Sequence, residues 1–242
     1  MPTGQQERYW SYPPRRSIDF ALSSLAPASP NRGLYVAELG IPGRADDKVK
    51  IRQTASSVFV TMAGSIMGEL SDGQSVDIRE VITAAAEGIE DPPAAAWAIA
   101  RALDAVPDEF RASSDFGEFL APAGTLPVVC VVLVVGAYEG RLELLEVAFP
   151  REGVCRVQRT NEDSLAVSPA KSLESFLAAV DAATRCGAAD VAAARLASAI
   201  QDAAVTDLGR LSADGDIVVL GADGTAAWEE FIAPEPKVPF GA

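Results

Sequence analysis

Residues 128–147, VVCVVLVVGAYEGRLELLEV, carry the clearest structural signal in the chain. The run from Val128 to Val135 contains only apolar residues, which is typical of a strand that is covered on both faces. Glu139-Gly140 predicts a tight turn, and the segment from Leu142 to Val147 predicts a returning strand. The sequence therefore predicts a central β-hairpin whose first strand lies inside the protein.

Apolar patterns on both sides of this hairpin predict further strands and helices. The strands are expected at residues 17–22, 34–39, 49–52, 57–62, 216–220 and 228–232. The helices are expected around 66–70 and at 78–85, 94–106, 169–183 and 190–203. Asp77 and Asp91-Pro92 have the residue types that begin helices. The polar segment from Pro107 to Thr125 is predicted to be an irregular insertion.

Groups of strands that alternate with pairs of helices favour an α+β fold of stacked layers. We expect a four-layer αββα sandwich, in which two packed antiparallel sheets carry helices on both outer faces. No repeat and no linker divides the chain, so residues 17–232 are predicted to form a single domain. Residues 1–16 are expected to be a flexible N-terminal arm, and residues 233–242 a C-terminal tail.

The composition excludes several classes of function. The chain has 242 residues, 49% of them hydrophobic, and a formal net charge of -14. Such an acidic surface disfavours nucleic acid and anionic membranes as partners. No apolar stretch reaches the roughly 20 residues of a membrane helix, and no signal peptide is visible, so a cytoplasmic location is expected.

Histidine is absent, which excludes histidine-based triads and histidine-ligated metals. The three cysteines, Cys130, Cys155 and Cys186, form no CxxC motif and are predicted to be reduced thiols. The acidic pairs Asp46-Asp47 and Glu229-Glu230 are interpreted as solvated charges rather than as a cation site. Without a phosphate-binding loop either, the sequence predicts no cofactor and no metal.

Several short segments, in their order, resemble the proteasome-subunit family of N-terminal-nucleophile folds. Residues 33–38, GLYVAE, and 48–51, KVKI, look like the second and third strands of those subunits. Residues 58–65, VFVTMAGS, are similar to the apolar strand that ends in Ala-Gly. The hairpin at 128–147 and the strand at 216–220 also match the family's order. The strands around Glu38 and Ala63-Gly64 look most like actinobacterial α-type subunits, which form rings without cutting peptides.

The resemblance implies positions for a catalytic set, if the chain is active. In the peptidase members an N-terminal hydroxyl residue attacks the peptide carbonyl, and its own amine serves as the base. Ser17 would be that nucleophile after removal of residues 1–16. Lys50 lies where the family has its lysine and would lower the pKa of the nucleophile. Glu38 or Asp207 would orient Lys50.

The start of the first strand departs from the family's pattern. Arg15-Arg16-Ser17 stands where Gly-Thr is usual. The sequence therefore favours a non-catalytic subunit that forms or joins a ring-shaped assembly linked to protein degradation. Two alternatives stay open: a self-compartmentalising peptidase that uses Ser17, and a monomeric binding protein on the same fold.

Expected partners are copies of the chain or related subunits. The alanine-rich helices at 94–103 and 191–203 have little bulk and allow close packing, against the chain's own sheet or against another copy. Tyr9, Trp10 and Tyr12 in the N-terminal arm could anchor a protein partner.

Overall fold

A computed structural model describes residues 16–23, 34–39, 51–65, 67–113, 128–159, 215–220 and 223–231. The strands in these ranges are β1 (Arg16–Ser23), β2 (Leu34–Leu39), β3 (Arg52–Ala55), β4 (Val58–Ser65), β5 (Met67–Glu69), β6 (Ser75–Asp77), β7 (Val128–Tyr138), β8 (Arg141–Pro150), β9 (Arg156–Arg159), β10 (Gly215–Leu220) and β11 (Ala226–Phe231). The helices are α1 (Ile78–Ala86), α2 (Pro92–Asp104) and α3 (Asp108–Ser113). This content confirms the α+β class.

The strands pair in one continuous antiparallel path, in the order β11-β10-β2-β1-β4-β7-β8-β9. β3 adds to β4, so that β3, β4, β7, β8 and β9 make a five-stranded antiparallel sheet. β1 connects this sheet to β2, because its first two residues pair with β4 and the rest pair with β2. β5 and β6 form a separate two-stranded hairpin.

The central hairpin of β7 and β8 is confirmed, with its turn at Glu139 and Gly140. Both turn residues have positive φ, 51° and 73°. Every residue of β7 from Val129 to Ala137 is buried. Because successive side chains of a strand point to opposite faces, an unbroken apolar run supplies both faces at once.

One face of the five-stranded sheet packs against α1 and α2. Alternate residues of the strands, such as Val60, Val132 and Phe149, share a cluster with the buried faces of both helices. The helices contribute mainly small and branched residues, including Ala95, Ile99 and Leu103. Small side chains allow α2 to lie close to the sheet, and Trp97 is left on the opposite side of the helix with 53% exposure.

The other face of the sheet packs against β10. Phe59, Leu133 and Leu144 belong to a second cluster, which also contains Val218 and Leu220 of β10. The five-stranded sheet is therefore covered on one side by helices and on the other by a strand of the connected path. This arrangement explains why β7 needs apolar residues at every position.

α1 begins directly after Asp77, as the sequence predicts. Asp77 caps it by accepting a hydrogen bond from the Arg79 backbone N–H at 2.9 Å. Burial opposes the charge of Asp77, but hydrogen bonds and the positive charge of Arg79 outweigh it and lower the pKa of the carboxyl. α2 begins at Asp91-Pro92 as predicted, although Asp91 makes no side-chain cap.

The structure corrects four local predictions and adds one strand, β9, that the sequence does not predict. β3 covers Arg52–Ala55 rather than 49–52, and β4 continues through Ala63-Gly64 to Ser65. The segment around Met67 forms β5 instead of a helix, because pairing with β6 supplies hydrogen bonds that a short apolar pattern cannot reveal. The insertion after Pro107 contains α3, and β9 lies on the edge of the sheet beside β8.

Other predictions lie outside the described residues. These are the helices at 169–183 and 190–203, nearly all of the arm, and the tail at 233–242. Within the described part of the chain, no helix combines the length and hydrophobicity needed to cross a membrane.

Candidate functional site

Ser17, the residue that the resemblance points to as a nucleophile, lies where β1 passes from one strand neighbour to the next. It pairs with Gly64 of β4, and the following residue, Ile18, pairs with Leu39 of β2. Glu38 pairs with Asp19, two positions along β1 from Ser17. Two residues of a strand span roughly 7 Å. The strand register thus places Ser17 and Glu38 in the same part of the fold.

The other two members of the predicted set are not in the described part of the chain. Lys50 immediately precedes the described residue Ile51, and Asp207 lies in the range between β9 and β10. Their distances to Ser17 therefore stay predictions. Cys186 also lies outside the described residues.

A different polar group centres on Arg111 of α3, whose guanidinium contacts three segments of the chain. Its Nη1 donates a hydrogen bond to the carbonyl of Gly153 at 2.8 Å. Its Nη2 lies 3.2 Å from the carbonyl of Asp104 and 3.4 Å from that of Leu103. These last two carbonyls are at the C-terminal end of α2, where the Leu103 carbonyl also accepts a hydrogen bond from the Val106 N–H at 3.0 Å. One guanidinium therefore joins α2, α3 and the segment after β8.

Arg111 is 95% buried, and its charge has aromatic and acidic neighbours. The guanidinium carbon lies 4.6 Å from the ring centre of Phe149, within the range of a cation–π contact. Carboxylate oxygens of Asp104 and Asp108 lie 3.8 Å and 3.7 Å from its nitrogens. The residue is held from several directions, so its position in the fold is fixed.

Asp104 and Cys155 extend this group toward the sheet. The backbone N–H of Cys155 donates to the Asp104 carboxylate at 2.8 Å. Burial, followed by a hydrogen bond and the negative charge of Asp104, raises the pKa of the Cys155 thiol to about 12. Burial also raises the pKa of the Cys130 thiol. Both cysteines are free thiols.

These raised pKa values predict that Cys130 and Cys155 react slowly in the folded protein. In a Cys186→Ser variant, we expect modification by a thiol reagent at pH 8 to be at least about a hundredfold slower in the native protein than in urea, since the thiolate is the reactive form. Rates measured by absorbance would test this. Equal rates in buffer and urea would contradict the burial of both thiols.

The same shifts make stability depend on pH in the alkaline range. A folded pKa above the unfolded value means that the neutral thiol is favoured in the native state. Its stabilising contribution is complete below the unfolded pKa of about 8.5 and decreases as the pH rises toward 12. Urea unfolding at pH 8 and pH 10 would measure that decrease.

An open cleft of about 620 Å³ lies beside Arg111. It is formed where the end of α2, the helix α3 and the segment after β8 meet. Its lining consists of Asp104, Asp108, Arg111, Ala112, Arg151, Glu152, Gly153 and Val154. This is a mixed-charge surface made of two guanidinium groups and three carboxylates, without histidine.

Sequence reasoning missed this group of residues. Arg111 lies inside the segment that the sequence predicts to be irregular, and its partners come from separate parts of the chain. The only local signal is Asp108 three residues before Arg111, the spacing of an ion pair on a helix. Such pairs are common on exposed helices and do not predict burial.

Among the described residues, no group of three or more acidic, cysteine or histidine side chains is arranged to hold an ion. Compared with protein-family models and with curated proteins, the sequence matches none.

Proposed function

We propose that this chain is a non-catalytic, proteasome-like subunit that forms or joins a ring-shaped assembly linked to protein degradation. The proposal rests on the position of the five-stranded sheet, which has helices on one face and a β-strand on the other. Helices α1 and α2 cover one face, and residues of β10 pack on the other. The family that the sequence resembles has this succession of layers.

The proposed complete architecture is the four-layer αββα sandwich. In it, the sequence-predicted helices at 169–183 and 190–203 would cover the outer face of the strands β1, β2, β10 and β11. A cytoplasmic location belongs to the same proposal, because Cys130 and Cys155 are free thiols and reduced cysteines are usual in that compartment.

The outer surface of α2 supports assembly. Trp97 is 53% exposed there, and Ala94 and Ala98 beside it have short side chains. A large exposed aromatic residue beside small ones resembles the anchor residues of protein interfaces, although the exposed Arg101 lies one turn further along the same helix. This surface is the proposed contact between subunits.

Native mass spectrometry of the purified protein tests the proposal. We expect an assembly whose mass is a multiple of the 25.3 kDa subunit. Trp97→Ala should shift it toward single subunits, whereas Tyr138→Ala, which changes another exposed aromatic residue, should leave it intact. A protein that stays monomeric at all concentrations would contradict the assembly.

The same spectra distinguish the peptidase alternative. A non-catalytic subunit keeps the mass of residues 1–16, and Ser17→Ala has the same mass pattern as the control Ser23→Ala. Loss of residues 1–16 from the wild type and from Ser23→Ala, but not from Ser17→Ala, would instead establish self-cleavage at Ser17.

A further inference from the structure

We propose that a row of four acidic residues across β1, β2, β10 and β11 binds a linear polyamine, an extended ligand with several protonated amino groups. The inference concerns the strands on the β10 side of the five-stranded sheet and does not depend on the proposed assembly. It starts from the register of the four strands.

The register brings four acidic residues into one line. Asp19 of β1 lies opposite Glu38 of β2, and Asp216 of β10 lies opposite Glu230 of β11. β2 and β10 are paired up to the preceding position, and the next step of the same register places Glu38 opposite Asp216. Opposite positions of antiparallel strands share a face of the sheet, so these four residues form an acidic row on one face. The last three lie one position from the end of their strands, which puts the row at a rim of the sheet.

The acidic row carries an unbalanced negative charge. Like charges at opposite positions of neighbouring strands repel each other and destabilise the pairing. Besides the row, the four strands contain one further acidic residue, Glu229, and a single basic residue, Arg16. A cationic ligand along the row would replace repulsion between neighbours by attraction to the ligand.

The row shares its face of the sheet with apolar residues. Val218 and Leu220 follow Asp216 at alternate positions of β10, and both are buried in the cluster with the five-stranded sheet. On β11, Trp228 is two positions from Glu230 and lies opposite Val218. An aromatic residue and an apolar layer therefore adjoin the carboxylates. Aromatic rings and carboxylates are the groups that bind alkylammonium ions.

Thr61 of β4 is an independent sign that a polar partner belongs in this layer. Its side chain is 1% exposed, and its Oγ1 has no hydrogen-bond partner in the part of the chain that the structure describes. Thr61 lies opposite Leu133, which belongs to the cluster that contains Val218. The hydroxyl thus faces the layer between β4 and β10, where Asp216 is the next position after Val218 on the same face. Buried hydroxyl groups are nearly always hydrogen-bonded, and an ammonium group held at the row would donate to this one.

The length of the row selects an extended cation rather than a metal ion. Strands about 4.8 Å apart spread four residues over roughly 14 Å. The oxygen ligands of one Mg²⁺ or Ca²⁺ ion must instead converge to within about 2.6 Å of it. In a linear polyamine, short methylene chains separate the amino groups. Each amino group can therefore meet a different carboxylate while the methylene groups contact the apolar layer.

Isothermal titration calorimetry on the whole protein, at constant ionic strength, tests the inference with spermine, spermidine, putrescine and magnesium chloride as probes. We expect saturable binding of spermine with a dissociation constant on the order of 10–100 μM. Affinity should fall from spermine to spermidine to putrescine, and Mg²⁺ should bind at least about tenfold more weakly than spermine. Tighter binding of the blocked peptide acetyl-Lys-Lys-Lys-amide than of spermine would overturn the assignment to a free polyamine.

Two neighbouring residues of β11 provide a matched pair of variants. Glu230→Gln is expected to weaken spermine binding by about fivefold or more, because it removes one charge from the row, and Asp216→Asn should have a similar effect. Glu229→Gln makes the same charge change one residue away, opposite Ile217 and on the other face of the sheet. It should change the affinity by less than about twofold, since charges outside the site are screened.

Urea unfolding without spermine checks that each variant is folded and gives a second readout. Removal of a like charge from the row should leave Asp216→Asn at least as stable as the wild type. Marked destabilisation would overturn the inference, because a cation of the chain itself would then balance the row. Absence of saturable spermine binding in the folded wild type, or an equal loss of affinity in Glu229→Gln and Glu230→Gln, would also overturn it.

Discussion

Arg111→Met is expected to lower the free energy of unfolding by about 3 kcal/mol. The methionine keeps much of the apolar contact with Phe149 but removes the donors to Gly153, Asp104 and Leu103. The loss of three guanidinium hydrogen bonds and of the cation beside Asp104 accounts for the destabilisation, although the Leu103 carbonyl keeps its hydrogen bond from the Val106 N–H. Urea denaturation monitored by circular dichroism would measure it.

Two further variants show whether the loss comes from this hydrogen-bond geometry. Arg111→Lys retains a positive charge but cannot reach several carbonyls in one plane, so we expect a loss of about 2 kcal/mol. Arg101→Met removes an exposed arginine from the same region and should change stability by less than about 0.5 kcal/mol. If Arg111→Met were no more harmful than Arg101→Met, Arg111 would not be the group that joins α2, α3 and the segment after β8.

Gly136→Ala is the second substitution with a large expected effect, about 2–3 kcal/mol of destabilisation. A methyl group on Gly136 would lie 2.5 Å from Cγ of Pro92 and 2.9 Å from the carbonyl oxygen of Ser57. That carbonyl cannot move away easily, because it accepts a hydrogen bond from the Ala137 N–H at 3.0 Å. The start of α2 would have to move away from β7.

A double-mutant cycle with Pro92→Ala identifies the clash directly. Removing the proline ring takes away one of the two close contacts, so Gly136→Ala should cost at least about 1 kcal/mol less in that background. Thermal or urea unfolding of the four proteins gives the coupling. Strictly additive effects would contradict the close approach of α2 to β7.

The hairpin and the helix starts could be predicted from the sequence because their causes are local. The apolar run from Val128 to Val135 allows few conformations other than a covered strand, and Glu139-Gly140 suits the positive φ angles of the turn. Asp77 acts on the backbone of its own helix. In each case, the interaction that decides the structure joins residues close in sequence.

The sequence-based predictions are wrong where the structure of a segment depends on its pairing with another segment. They are also wrong where a short apolar pattern fits a helix and a strand equally well. Met67 lies in a short apolar segment that fits a helix as well as a strand, and its pairing with Asp77 decides for the strand. β9 has too few apolar residues to give a periodic pattern in the sequence. It forms a strand because it pairs with β8. Long-range pairing leaves no periodic signal in so short a segment.

The candidate sites likewise differ in how much of each can be predicted from the sequence. The acidic, histidine-free composition and the strands that contain Ser17 and Glu38 can be predicted from the sequence, since they follow from residue types and local periodicity. The location of Arg111, Arg151 and Cys155 in one corner of the molecule is visible only in the folded protein. Their proximity results from the packing of α2 on β8 and the return of the chain into β9, which bring together residues 42 and 51 positions apart.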